Sequence, residues 1–427
     1  MSKKKQLIPE MRFPEFKNEG EWEAKKISDL GNTISGLTGK SGEDFGAGKP
    51  YVTYKQVFDN STIDFDKCGR VQIGDNENQN SLRLGDILFT TSSETATEVG
   101  FASILIDSPK EETYLNSFCF AVRPFEIKKT QPQFSRYLFH SPVYRKSVTA
   151  IAQGSTRYNL SKGTFLELKV PIPTPKEQQK IASCLSSLDE LIEAHSQKLD
   201  LLKEHKKGLM QNLFPQEDEK VPNLRFKEFK KEGDWVEKSL RDLGRFLGGG
   251  TPDRSNSGYW IGDIPWISSS DINENDIHNI SITRFINDNA IKESATKIVP
   301  KGSVLFVSRV GVGKLAINKL DLCTSQDFTS FVPKKDVLNF FIGYYFSSHK
   351  HLLQALNQGT SIKGFSKNDL ENLMLPHPKN TKEQQKIASC LSALDKMITA
   401  QADKIEQLKQ HKKGLMQGLF PRIIDLE

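Results

Sequence analysis

Residues 176–215, KEQQKIASCLSSLDELIEAHSQKLDLLKEHKKGLMQNLFP, recur at an offset of 206 positions as residues 382–421, KEQQKIASCLSALDKMITAQADKIEQLKQHKKGLMQGLFP. Of the 40 aligned positions 28 are identical, and neither copy has an internal proline, so each can run as one uninterrupted helix. Apolar residues step through the first copy at Ile181, Leu185, Leu188, Ile192, Leu199, Leu202 and Leu209. The second repeats the pattern at Ile387, Leu391, Leu394, Ile398, Ile405, Leu408 and Leu415. This alternating four-three step has a period of about 3.5 residues, which marks a coiled-coil seam. Each copy interrupts the seam once, with His195 and Gln401, polar layers of the kind that set register. A helix of this length extends about 55 Å, too far to bury its stripe on one small domain. The two stripes are therefore expected to bury each other. Antiparallel pairing is the expected direction, because it brings His195 and Gln401 to neighbouring layers.

The repetition is wider than the helices. MRFPEFKNEGEWEAKKISDLG from Met11 matches LRFKEFKKEGDWVEKSLRDLG from Leu224 at an offset of 213, so the whole chain is a duplication. In each copy Trp22 or Trp235 precedes Asp29-Leu30-Gly31 or Asp242-Leu243-Gly244, a strand or short helix that enters a domain. Between these landmarks the copies diverge but keep matching β-type runs. Tyr51-Val52-Thr53 corresponds to Trp266-Ile267-Ser268, and Gly85-Asp86-Ile87-Leu88-Phe89 to Gly302-Ser303-Val304-Leu305-Phe306. Gln153-Gly154-Ser155-Thr156 then matches Gln358-Gly359-Thr360-Ser361, and a double-proline segment at 168–173 or 373–378 ends each domain and launches the helix. Helical spacing at 134–147 and 337–356 predicts one equivalent helix in each. The expected fold class is α+β: two pseudo-repeated α+β domains joined by two long helices forming an antiparallel coiled coil. The expected boundaries are a first domain with its lead-in at 1–174, a helix at 175–215, a linker at 216–223, a second domain at 224–379, a helix at 380–421 and a tail at 422–427.

Composition bounds the function. A net charge of +6 is compatible with a polyanionic partner but too small to indicate nucleic acid by itself. Five cysteines, with no CxxC pair, argue against a disulfide framework and a structural zinc site and fit a reduced cytoplasm. Cys184 and Cys390, equivalent positions in the helices, are expected to be small buried hydrophobes. No leader with an apolar core and no run of 18 apolar residues is present, so a cytoplasmic chain without a membrane span is expected.

Motifs that resemble catalytic ones fail on spacing. Gly311-Val312-Gly313-Lys314 follows a predicted strand, but a phosphate loop needs glycine and a hydroxyl residue where Ser308 and Leu315 stand. The run Gly248-Gly249-Gly250-Thr251-Pro252 lacks the GxGxxG spacing and reads as a turn. No HExxH, no GxSxG, no base-flipping methyltransferase motif and no paired carboxylate–lysine cluster is found. No catalytic residue, no metal ligand and no cofactor is assigned.

Over essentially its whole length the chain resembles the specificity (S) subunit of Type I restriction-modification enzymes. The resemblance rests on RFPEF at 12–16, the segment from Trp22 to Asp29-Leu30-Gly31, KEQQKIA at each helix start and LMQ-x-LFP at each helix end. GGTP at 249–252, Tyr259-Trp260 and Ile264-Pro265-Trp266 are similar to one subtype of recognition domain. The family implies two target-recognition domains, each reading half of an asymmetric, two-part target on double-stranded DNA, with the helices as a spacer. It also implies two methyltransferase subunits docked on the helices, motor-nuclease subunits joining for restriction, and no chemistry in this chain.

Base edges and phosphates are read by Arg, Lys, Asn, Gln, Ser and Thr. In the first domain the expected DNA contacts are Thr53, Tyr54, Lys55 and Gln56 after the early strand, Thr90, Thr91, Ser92 and Ser93 after the core strand, and Ser155, Arg157 and Asn159 after the Gln-Gly turn. In the second they are Ser268, Ser269, Ser270, Ser308, Arg309, Lys314, Thr360, Ser361 and Lys363. Tyr51 and Trp266 are expected in the core. Two other readings stay open from the residues alone: an adaptor that organises two protein partners, and a self-contained restriction-modification enzyme.

Overall fold

The computed structural model describes residues 7–356 and 364–422. Two compact units divide the chain, and only the second is continuous in sequence: one takes the chain up to residue 196 together with the stretch from 403 onward, the other residues 197–402. Each long helix, Pro175–Asn212 and Thr381–Gly418, therefore gives its first half to one unit and its second half to the other.

Both units are built on the same four-stranded antiparallel sheet. In the first its order is Gly31–Ser35, Cys119–Pro124, Ile87–Thr90, Ala102–Ile104; in the second it is Gly244–Gly248, Phe328–Pro333, Val304–Val307, Leu315–Ile317. The strands Ile87–Thr90 and Val304–Val307 are buried throughout, as the apolar runs Ile87–Phe89 and Val304–Val307 require. Gly85 and Gly302 turn the chain into them at φ of +87° and +80°, a conformation that a Cβ disfavours. A second sheet flanks each core. Phe45–Val52 pairs in parallel with Tyr114–Leu115 and antiparallel with Gly69–Val71, while Ile264–Ile267 pairs in parallel with Leu322–Thr324 and antiparallel with Arg284–Ile286. The second unit adds Ile298–Val299 at that sheet's far edge.

Each predicted domain helix is two. The first unit has Pro132–Leu138 and Pro142–Ala150, the second Asn339–Ser348 and Lys350–Ala355. Pro142 has no N–H to continue the first helix, and Ser141 caps the new one by accepting from the Tyr144 N–H. In the second unit the break falls at His349, whose φ of −112° and ψ of 47° leave the helical region. The Asp-Leu-Gly landmarks are short helices, Ile27–Leu30 and Leu240–Leu243, running straight into strands.

The motif at each helix start is a lock. Glu177, 1% exposed, takes the Arg12 guanidinium on both oxygens at 2.8 and 2.7 Å, and Glu383 takes Arg225 in the same way at 2.7 and 2.8 Å. Gln178 accepts from the Gln131 N–H and donates to the carbonyls of Lys129 and Pro173; Gln384 accepts from the Leu338 N–H. These bonds tie the entry segment and the domain to the first turn of the helix. The double-proline strands are held by the entry strands, Lys169–Ile172 against Glu23–Lys26 and Met374–His377 against Val236–Ser239.

Within each unit the two helix halves run antiparallel. In the first, Lys412 meets Asp189, whereas Gly418 accepts from the Met11 N–H beside Arg12, which holds Glu177. In the second, Lys206 pairs with Asp395 at 2.5 Å, and Asn212 accepts from Leu224 beside Arg225 and Glu383. None of the seam residues named from the sequence is exposed: Ile181, Leu185, Ile387, Leu391, Leu394, Gln401, Ile405 and Leu408 are buried and the rest half-buried. The stripes do not bury only each other, however. Ile181 and Leu185 join Trp22, Phe134, Leu419 and Phe420 in the first core, and Ile387 and Leu391 join Trp235, Phe341, Leu213 and Phe214 in the second. The Leu-Phe ends of the helices thus belong to the core of the opposite repeat. Cys184 and Cys390 are half-buried rather than buried, and all five cysteines are free. Among the described residues no helix is long and apolar enough to cross a membrane.

Candidate nucleic-acid interface

In the first unit three chain segments far apart in sequence converge at one end of the core sheet. Thr53 caps the helix Tyr54–Asp59 that leaves the parallel strand pair. Ser92–Ser93 follows the core strand and pairs with Tyr158–Asn159 beyond the Gln-Gly turn, in the register Tyr158 with Ser93 and Asn159 with Ser92. Tyr54 Oη donates to the Ser92 carbonyl at 2.6 Å, and Arg157 Nη2 donates to Ser92 Oγ at 3.2 Å. Burial holds the Tyr54 phenol above its ordinary value. Tyr54, Ser92, Ser93 and Arg157 line one open cleft of about 890 Å³, together with Phe58, Glu94, Thr95, Glu98 and Thr156.

The remaining candidates of this unit stand apart from the cleft. Gln56 is buried and donates to the Asp64 carbonyl, and Thr90 is buried and accepts from the Phe101 N–H. Thr91 donates to the Phe118 carbonyl, while Lys55 and Ser155 are exposed. Thr90 and Gln56 satisfy neighbouring backbone groups, so their polarity faces the protein.

The second unit repeats the junction with other chemistry. Ser308 accepts from the Phe365 N–H at 2.9 Å and donates its own N–H to Asp327, as Thr91 accepts from Leu160 and donates to Phe118. Its side chain is buried between Asp327 and Thr329. Arg309 is exposed at the tip of the hairpin between Val304–Val307 and Leu315–Ile317, with Lys314 half-buried on its return. Gly311 and Gly313, at φ of +94° and +97°, are the turn residues of that hairpin, which no helix follows. The Gly248-Gly249-Gly250 turn passes so close to the sheet that a Cβ on Gly249 would lie 1.9 Å from the Ser325 carbonyl oxygen. Ser268 and Ser270 share a hydrogen bond of 2.9 Å, and Ser269 is buried. Arg284 donates to Ser268, pairs with Asp271 and lies 4.7 Å over the buried Trp266 ring. Tyr51 is half-buried. Thr360, Ser361 and Lys363 fall outside the described residues.

Sequence reasoning passed over Glu98, Phe58 and Arg284. Glu98 lies just after Ser92-Ser93 but is acidic, whereas the expected contacts are cations, amides and hydroxyls. Arg284 sits where the repeats no longer align.

In each unit a domain tyrosine is hydrogen-bonded to a long helix. Tyr137 Oη donates to Asp189 at 2.8 Å and lies 3.1 Å from Ser186; its repeat partner Tyr344 donates to Asp395 at 2.6 Å and lies 3.1 Å from Ser392. Burial pushes the Tyr137 phenol up to about 12 and Tyr344 higher still. Burial would raise the Asp395 carboxyl, but bonds from His278, Lys206 and Tyr344 outweigh it and hold it below its ordinary value. Among the described residues no group of His, Cys, Asp and Glu is arranged to hold a metal ion.

A model of the Type I restriction modification DNA specificity domain matches residues 19–204 and again 232–410. The MjaX type I restriction enzyme specificity subunit assigned in Methanocaldococcus jannaschii is 28% identical over 408 residues, 94% of this chain and 93% of that protein. A crystal structure of the S subunit of a Type I system from M. genitalium has the same fold, with a TM-score of 0.58 at 15% identity over 98% of this chain and 100% of that one. A chain from a structural study of complex assembly and conformational transition in the type I R-M system superposes with a TM-score of 0.60 at 17% identity, covering 94% and 98%. With both of its repeats matched, the chain belongs to the Type I restriction-modification DNA specificity family and carries two copies of its domain.

Proposed function

We propose that this chain is the non-catalytic specificity subunit of a Type I restriction-modification complex. Each recognition domain, within 1–174 and 224–379, reads one half of an asymmetric bipartite site on double-stranded DNA. The helices within 175–215 and 380–421 set the separation of the half-sites, near one duplex turn of about 34 Å. Two methyltransferase subunits dock on the helices, motor-nuclease subunits join for restriction, and methylation, ATP hydrolysis and cleavage reside in those partners in the cytoplasm. The reading surfaces are the cleft of Tyr54, Ser92, Ser93 and Arg157 with Asn159 on the paired strand beside it in the first unit, and Ser268, Ser270, Arg309 and Lys314 in the second. Thr360, Ser361 and Lys363 are proposed as further DNA contacts of the second domain.

One observation carries this reading. Two scaffolds with the same strand order bring different polar groups to the same junction, while their helices keep 28 of 40 residues identical. Unlike surfaces on like frames suit two different sequences; like helices suit two copies of one partner. Long-read mapping of methylated DNA tests it, in cells expressing the chain with a Type I methyltransferase subunit and in cells lacking the chain. A split motif modified once on each strand, absent from the control, is the expected result. An assembled complex that adds no motif would refute the reading.

A further inference from the structure

Resting on that reading, we infer that Glu98 and Arg157 are specificity-determining residues of the first half-site, and that they address a G·C pair: Arg157 the guanine, Glu98 the cytosine amino group. The two side chains line the same cleft with opposite charge, yet no ion pair joins them among the described residues. Each keeps bonding capacity for something else. Glu98 is half-buried, and its Oε2 accepts from Ser93 Oγ at 3.1 Å and Thr95 Oγ1 at 2.8 Å. Those two bonds anchor one carboxylate oxygen, and Oε1 has no hydrogen bond among the described residues. A carboxylate accepts only and repels phosphate, so against DNA its favourable partner is a base amino group; the major groove offers cytosine N4 and adenine N6, and cytosine is the one that pairs with a guanine taken by Arg157.

Arg157 supplies the complementary donors. Among the described residues its guanidinium makes one hydrogen bond, Nη2 to Ser92 Oγ at 3.2 Å, and lies 5.8 Å from the centre of the Phe118 ring. That leaves further N–H groups of the planar fork for guanine O6 and N7. Phe118 is 55% exposed, so the stack stands at the surface where a groove could be entered. In the second unit Arg284 is already engaged by Asp271 and Ser268, so the described residues there present a different pattern to a base edge.

The test is methylation mapping with full-length Glu98→Gln and Arg157→Lys chains assembled with the methyltransferase subunit. Glutamine keeps an acceptor for Ser93 and Thr95 while adding a donor; lysine keeps charge but loses the fork. Each variant should relax one G·C position of a single half-site by roughly tenfold to a hundredfold and leave the other half-site as in the native motif. An unchanged motif in both variants, or changes spread over both half-sites, overturns the assignment. If a variant does not assemble, the native complex decides. Replacing a half-site guanine with 7-deazaguanine should weaken binding about tenfold at one position, and no loss at any guanine overturns the proposal. A native complex that marks no split motif would instead remove the functional reading itself.

Discussion

Glu383 shows how much structure a single side chain in a repeated motif secures. It is 1% exposed, and both its oxygens are engaged by Arg225, itself largely buried. Glu383→Ala leaves that guanidinium buried without its carboxylate. Denaturant unfolding should show a loss of about 3–5 kcal/mol, with the double change Arg225→Met, Glu383→Leu costing less. His140 makes a prediction of another kind. Burial pushes its imidazole down to about 4 from an ordinary value near 6.5, against the opposing hydrogen bond to the Arg136 carbonyl. Between those limits the unfolded chain binds a proton that the native one refuses, so native stability falls as pH drops through this window. In His140→Gln that part of the slope is gone, and melting curves from pH 7 to pH 4 should show the variant losing less than the native protein. At this scale the sequence was half legible. Tyr54, Ser92, Ser93 and Arg157, named from three separate segments, stand together in the structure, a convergence that the sequence does not state. Thr90, Gln56 and Ser308 turned inward, because a polar residue just past a buried strand serves equally well to satisfy the neighbouring backbone.

At the scale of elements, the long helices were the most legible part of the chain, because a 3.5-residue apolar period sustained over many turns fits a helical seam and little else. What the period could not reveal was the second partner of each seam. Ile181 and Leu185 face a domain as well as a helix, and nothing in the spacing distinguishes the two. The split domain helices were missed for a local reason, one proline and one residue turned out of the helical region. Phe420 packs against Trp22 and Phe134 with centroids at 5.9 and 5.8 Å. Truncation to alanine should therefore cost about 3–5 kcal/mol in the first unit. Hydrogen exchange should show the loosening there, while the second unit, whose plug is Phe214, keeps its protection. The spacer makes a second prediction. Removing one heptad from each helix, residues 190–196 and 396–402, shortens each by about 10 Å and spares the Asp189–Lys412 and Lys206–Asp395 contacts. The methylated motif should lose about three base pairs of spacing or disappear; an unchanged spacing would refute the helices as a ruler.

At the scale of the whole molecule, the repeat was visible in the sequence but its closure was not. The Met11 N–H bonds to the Gly418 carbonyl at 2.8 Å, and the Leu224 N–H bonds to the Asn212 carbonyl at 2.8 Å. These are the same junction by repeat position, since 418 is 212 plus 206 and 224 is 11 plus 213. One is spanned by the linker, the other by residues from opposite ends of the chain. A circular permutant that joins residue 422 to residue 7 through a flexible linker and opens within 216–221 should fold, assemble and mark the native motif. Failure to fold would mean that the linker is more than a tether. The same equivalence bears on inheritance. Crossovers within the tracts that encode the two helices, 28 of whose 40 residues are identical, would exchange an intact reading head for another while leaving every lock, seam and plug in place. A population of such genes could change what it marks by shuffling halves rather than by accumulating point mutations.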